Sequence, residues 1–244
     1  MRLYLFSICI CNLLLTVAQQ TVTFKSSDGL DVTADLYLQD KGLPFILLFH
    51  QANYSRGEYS ETAPKFLKLG YNCLAVDLRS GKEVNFIQNE TSKRAREQNL
   101  PTDYLDAEKD IISAISYVKQ YTKQKIILAG SSYSASLVLL IADNNPLISA
   151  VIAFSPGEYF EPVHSLKKEL TGFNKPLFVS STKNEYPFIK EMLSGIAHPN
   201  ITWYTPAKGE GTHGSRVLWQ SDPNSEECWM SLLVFFKTLE TKKI

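Results

Sequence analysis

The chain has 244 residues, with 25 basic and 25 acidic side chains, 44% hydrophobic and 20% charged residues. A formal charge of zero lacks the basic surplus that nucleic-acid binding needs to displace counterions, and the apolar content excludes long disorder. The length fits one large core or two small ones, and a core of this size needs no disulfide framework.

Met1 to Ala18 carries one basic residue, Arg2, then an apolar run from Leu3 to Val17, closing on Thr16-Val17-Ala18. This is the layout of a secretory signal cut after Ala18. The run is interrupted by Asn12 and is shorter than the ~20 apolar residues of a bilayer span. The expectation is a secreted or periplasmic protein with a single domain over 19–244 and no stable membrane insertion after cleavage. Cys9 and Cys11 fall in the leader, leaving Cys73 and Cys228, either as a pair or as two separate buried thiols. There is no Cys-x-x-Cys or His-x-x-x-His spacing, so no metal is expected, and the sequence carries no signature of an organic cofactor.

Thr21–Lys25 and Asp31–Leu38 alternate in period two around Asp28-Gly29, which predicts an antiparallel opening hairpin. Short continuous apolar runs follow at Phe45–Phe49, Cys73–Val76, Ile126–Ala129, Ala150–Phe154 and Leu177–Val179, with a weaker one at Ile201–Tyr204. Unbroken apolarity means burial on both faces, as in parallel strands between helices. Helices are predicted between them at Ala63–Leu69, Tyr104–Tyr121, Ser134–Ala142, Phe188–Ile196 and Asn224–Leu239, the last opened by Asp222-Pro223. This alternation makes a three-layer α/β domain. The polar stretch Leu78 to Asp103 reads as a solvated excursion at the sheet's C-terminal edge.

Gly130-Ser131-Ser132-Tyr133-Ser134 joins a predicted strand directly to a predicted helix. A nucleophile on such a sharp turn needs small residues two before and two after it, because strand and helix nearly touch there. Only Ser132 meets this condition, with Gly130 behind and Ser134 ahead. A serine also needs a base. Of the four histidines, His213 sits in the glycine-rich loop Lys208–Gly214, after the last strand and at the same sheet edge as Ser132. His198 reads as a surface residue at a helix end, and His164 as an exposed residue between strands.

With these residues in place, the chain resembles the α/β-hydrolase family, and within it the compact dienelactone-hydrolase-like members without a large lid. The resemblance spans essentially the whole mature chain. It implies a mostly parallel central sheet of about eight strands, a feature of that fold. It also implies an oxyanion hole made by the backbone N–H groups of Ala52, in Phe49-His50-Gln51-Ala52, and of Tyr133. His50 is then a structural histidine rather than the base, and Asp77-Leu78-Arg79-Ser80-Gly81 is mostly architectural.

The acid departs from the family pattern. In the loop Val179–Pro187, Asn184 stands where the family's Asp is usual, and Glu185 is its neighbour. Glu185 is the leading candidate, because its extra methylene can compensate for a one-residue displacement. Glu158, after the sixth strand, and Asn184 stay open as alternatives. The resemblance implies a serine hydrolase acting on small or accessible esters, by a Ser132–His213–acid triad and an acyl-enzyme. The same machinery serves amides, peptides and thioesters, and Asn184 would also suit a non-catalytic binding protein on this scaffold. Tyr54, Tyr59, Tyr133, Tyr159, Phe160, Tyr186 and Trp219 fall in or near loops at the expected catalytic edge.

Overall fold

The computed structural model describes residues 19–241; the expected leader, with Cys9 and Cys11, lies outside the described residues. β1 (Gln19–Lys25) and β2 (Asp31–Tyr37) pair antiparallel, turned at Gly29, whose φ of 87° suits a residue without Cβ. In chain order follow β3 (Phe45–Phe49), α1 (Ala63–Lys68), β4 (Asn72–Val76), a small ribbon of β5 (Glu83–Val84) and β6 (Ile87–Gln88), and α2 (Glu90–Glu97). The second half holds α3 (Glu108–Val118), β7 (Ile126–Ser131), α4 (Tyr133–Ala142), β8 (Ile148–Phe154), α5 (Leu166–Glu169), β9 (Leu177–Ser180), α6 (Tyr186–Met192), β10 (Ile201–Tyr204) and α7 (Ser225–Thr241).

Eight strands form one sheet in the order β1-β2-β4-β3-β7-β8-β9-β10, parallel from β4 onward. Neighbouring residues of each strand serve opposite cores. Leu47, Leu128 and Val151 face the layer of α3 and α4, while Leu48, Ala129 and Ile152 face the layer of α1 and α7. Burying both faces in this way is why these strands read as unbroken apolar runs. Register then fixes the site. Phe49 pairs with Gly130, Gly130 with Ala153, and Ala153 with Val179, so one row crosses four strands. The loops leaving that row, with His50, Ser132, Ser155 and Glu185, all emerge at the C-terminal edge.

Two expectations need correction. The stretch 78–103 is not a solvated excursion: Asn89, Thr91, Ser92 and Ala95 are buried. Its polar side chains are consumed internally, Asn89 capping α2 through the Ser92 N–H and Thr91 accepting from the Thr33 N–H. The helix expected from Tyr104 begins as a short 3-10 turn at Leu105–Ala107 before α3. The final helix starts at Ser225, within one residue of the expected start, and the Asp222 carboxylate accepts from the Asn224 N–H at its entry, as an N-cap does. Cys73 and Cys228 are separate buried free thiols. No helix among the described residues is long and apolar enough to cross a membrane.

Candidate active site

β7 passes into α4 through Ser132, which adopts φ 60° and ψ −125°. A non-glycine residue there is strained by about 1–3 kcal/mol, which the surrounding packing must hold. The turn tolerates no bulk: a Cβ at Gly130 would stand 2.5 Å from the Ala135 nitrogen and the Ser134 oxygen. At Ser134, by contrast, the side chain is used. Its hydroxyl donates to the Phe49 carbonyl at 2.8 Å and accepts from the Ser131 N–H at 2.9 Å, tying the elbow to β3. The replacement of the usual glycine by serine is therefore a bonded feature of this turn.

His213 is anchored against the elbow by its successors. The Gly214 N–H donates to Ser155 Oγ at 3.0 Å, and the Ser215 N–H to Ser131 Oγ at 2.9 Å. Gly214 has φ 74°, and a Cβ there would come within 2.6 Å of Ser131 Oγ. The imidazole Nδ1–H donates to Glu185 Oε1. Glu185 Oε2 accepts from Ser155 Oγ at 2.7 Å and from the Thr182 N–H at 3.0 Å. Burial alone would raise the Glu185 carboxyl, but the hydrogen bonds from His213, Thr182 and Ser155 outweigh it and hold the group down at about 2. Glu185 is thus an ionised acceptor for His213, with the tautomer set so that Nε2 is free to act as a base.

The two alternative acids lie elsewhere. Glu158 accepts from the backbone N–H groups of Leu166 at 2.8 Å and Lys167 at 2.9 Å, so it caps α5. Asn184 is exposed, and its backbone N–H donates to Glu210. His50 is fully buried, its Nδ1 bonded to the Gln51 carbonyl and its Nε2 accepting from the Leu78 N–H. Burial lowers it to about 4, which keeps it neutral and structural. His164 is partnered by Glu169, and His198 is exposed on a short turn. Arg79 is buried between Asp110 and Asp28, in keeping with an architectural role.

Among the described residues, the Ala52 and Tyr133 backbone N–H groups donate to no protein acceptor. Both flank the elbow, Ala52 following β3 and Tyr133 opening α4, whose N-terminal end favours developing negative charge. Ser132 is 7% exposed, and its hydroxyl donates to Tyr159 Oη at 3.2 Å; among the described residues no hydrogen bond joins it to His213. Catalytic hydrogen bonds commonly tighten only when substrate is bound.

Sequence reasoning missed Glu58 and Ser155. Glu58 is fully buried, accepts from the Gln51 N–H at 2.8 Å and the Ser215 hydroxyl at 2.6 Å, and has its carboxyl raised by burial. It therefore links the Ala52 loop to the His213 loop. Its only signal was a charged residue in a segment otherwise leading into buried aromatics. Of the aromatics expected at this edge, Tyr59 and Tyr133 are core residues, while Tyr159 touches Ser132. Tyr104 stacks on Tyr133 at 4.3 Å between centroids.

A family model described as the dienelactone hydrolase family matches residues 33–200. Solved structures share the fold at low identity. An esterase from Pyrococcus furiosus is 18% identical with a TM-score of 0.65, covering 92% of each chain. Dienelactone hydrolase from Anabaena variabilis is 14% identical with a TM-score of 0.63, covering 89% of this chain and 95% of its own. A 2,6-dihydroxy-pseudo-oxynicotine hydrolase is 12% identical with a TM-score of 0.67, covering 91% of this chain and 68% of its own. No curated protein matches this sequence.

Proposed function

The chain belongs to the dienelactone hydrolase family, and from that premise we propose that it is a serine hydrolase that cleaves carboxylic esters through Ser132, His213 and Glu185. The observation that carries the reading is the Glu185–His213 pair, fastened by Ser155, Gly214 and Ser215 to the strained turn that bears Ser132. An exposed histidine on a surface loop would have no such scaffold.

In the proposed reaction the Ser132 hydroxyl turns from Tyr159 to His213 and attacks the ester carbonyl, its proton passing to Nε2. The carbonyl oxygen becomes an oxyanion held by the Ala52 and Tyr133 N–H groups. Collapse breaks the bond to the alcohol, which leaves with the proton from His213, and forms a Ser132 ester. Water then repeats the sequence and releases the acid. Glu185 stays ionised throughout, orienting the ring and stabilising its cationic form. The esterase among the structural neighbours gives the same reading support at the level of reaction class. Ser132→Ala, assayed on p-nitrophenyl acetate, is expected to keep less than about a hundredth of wild-type kcat, since loss of a nucleophile typically costs far more. Retention above that level rules out Ser132 as the nucleophile.

A further inference from the structure

Beside the catalytic groups lies an open groove of about 800 Å³ that the reaction steps leave without a role. Ile189 and Met192, both buried, contribute its apolar base, and Phe188, 78% exposed, stands on the same helix beside them. Pro156 and Tyr159 line it as well. A phenyl ring left open to water next to buried aliphatic side chains gains by being covered with another apolar group. The volume lies in the range of sites that take a drug-sized guest, ~300–1,000 Å³.

Charge around the groove selects among apolar guests. Glu158, Glu161, Glu185 and Glu191 line it against only Lys167 and Lys168. Lys167 is paired with Glu191, which leaves Glu158, Glu161 and Glu185 against Lys168. A guest bearing a carboxylate meets net negative charge there and is disfavoured. The groove also reaches the chemistry. Glu185 and Ser155 line it while holding His213, and Tyr159 spans from it to within 3.2 Å of Ser132 Oγ.

We infer that this groove binds an uncharged apolar arm of the ester, alkyl or aryl and of roughly six to ten carbons, passing Tyr159 from the carbonyl at Ser132. The inference rests on the reading of Ser132 as the nucleophile. The arm is the acyl chain or the alcohol, and two substrate series separate them. One is p-nitrophenyl esters from acetate to decanoate. The other is acetate esters of alcohols from ethanol to decanol, followed by acid release.

In one of the two series, kcat/KM is expected to climb about two- to fourfold per added methylene, as burial of each carbon against the apolar lining implies. Over the six methylenes between them, the octyl-to-ethyl or octanoate-to-acetate ratio then reaches about sixty or more. Phe188→Asp changes an exposed side chain, so it keeps the fold, and it is expected to cut that ratio at least fivefold. Two flat series overturn the inference, as does a ratio that Phe188→Asp leaves unchanged. A fluorophosphonate probe on the same samples distinguishes the failures. Labelling of Ser132 with flat series removes the groove assignment alone, whereas an unlabelled chain removes the hydrolase reading beneath it.

Discussion

Glu58 accepts a 2.6 Å hydrogen bond from the Ser215 hydroxyl deep in the protein, and through it the loop carrying His213 is bound to the loop carrying Ala52. Ser215 in turn donates its N–H to Ser131, the neighbour of the proposed nucleophile. One buried carboxylate thus connects the segments of the proposed base, oxyanion hole and nucleophile.

Glu58→Ala leaves the Gln51 N–H and the Ser215 hydroxyl without their acceptor. Each buried unsatisfied group costs about 1–3 kcal/mol. At about 2–4 °C per kcal/mol for a domain of this size, Tm is expected to fall by roughly 5–15 °C. Below the melt, kcat should drop more than KM rises, because the segments displaced carry the proposed base and oxyanion donor. Glu58→Gln can accept from Gln51 and donate to Ser215, so it should recover most of both losses. Calorimetry and steady-state kinetics on the two variants check this.

Glu185→Gln should lower kcat by about 10²–10⁴-fold, as removing the orienting charge does in comparable triads. Glu158→Gln, which alters the cap of α5 and one charge of the groove but not the acceptor of His213, should lose less than about threefold on p-nitrophenyl acetate. The pH dependence of stability carries a further signature. The Glu185 carboxyl is held at about 2 against an ordinary 4.5, so its ionised form favours folding. That contribution is complete above 4.5 and is lost as pH falls towards 2. Thermal melts across this window should therefore be steeper for the wild type than for Glu185→Gln.

Tyr159→Phe removes the hydroxyl that accepts the Ser132 proton. A neutral hydrogen bond is worth about 0.5–1.5 kcal/mol, so freeing Ser132 for His213 should raise kcat/KM about two- to tenfold. A decrease of more than tenfold would instead assign the phenol to stabilisation of the transition state.

Ser134→Gly restores the residue usual at this place in the elbow but is expected to destabilise this protein. The Ser131 N–H loses its acceptor in the interior, while the Phe49 carbonyl keeps the Tyr59 hydroxyl as a donor, for about 1–3 kcal/mol and a Tm lower by roughly 2–10 °C. An unchanged Tm would show that backbone relaxation finds the Ser131 N–H another acceptor.

Much of the fold was legible in the sequence because parallel strands between helices leave an unbroken apolar signature, as in Phe45–Phe49 and Ile126–Ala129. Ser132 stood out by the small residues around it, and His213 by its glycine-rich loop at the matching edge. The acid was only partly legible. A one-residue displacement between Asn184 and Glu185 decides which side chain faces the imidazole, and the three-dimensional path of the loop sets it. Glu58, Asn89 and Ser155 were not legible at all. Polar residues read as surface, yet each of these meets buried backbone or hydroxyl groups from segments distant in sequence. The polar stretch 78–103 was misread for the same reason, since hydrogen bonding and not composition decided its burial.

The central claim is that Ser132 is activated by His213. It is tested most directly by treating the folded protein with a fluorophosphonate and locating the adduct by peptide mass spectrometry. One adduct on Ser132 is expected, absent in Ser132→Ala and slowed at least a hundredfold in His213→Ala, because an unactivated serine is a poor nucleophile. A wild-type chain that stays unlabelled, or an adduct that persists in Ser132→Ala, contradicts the account.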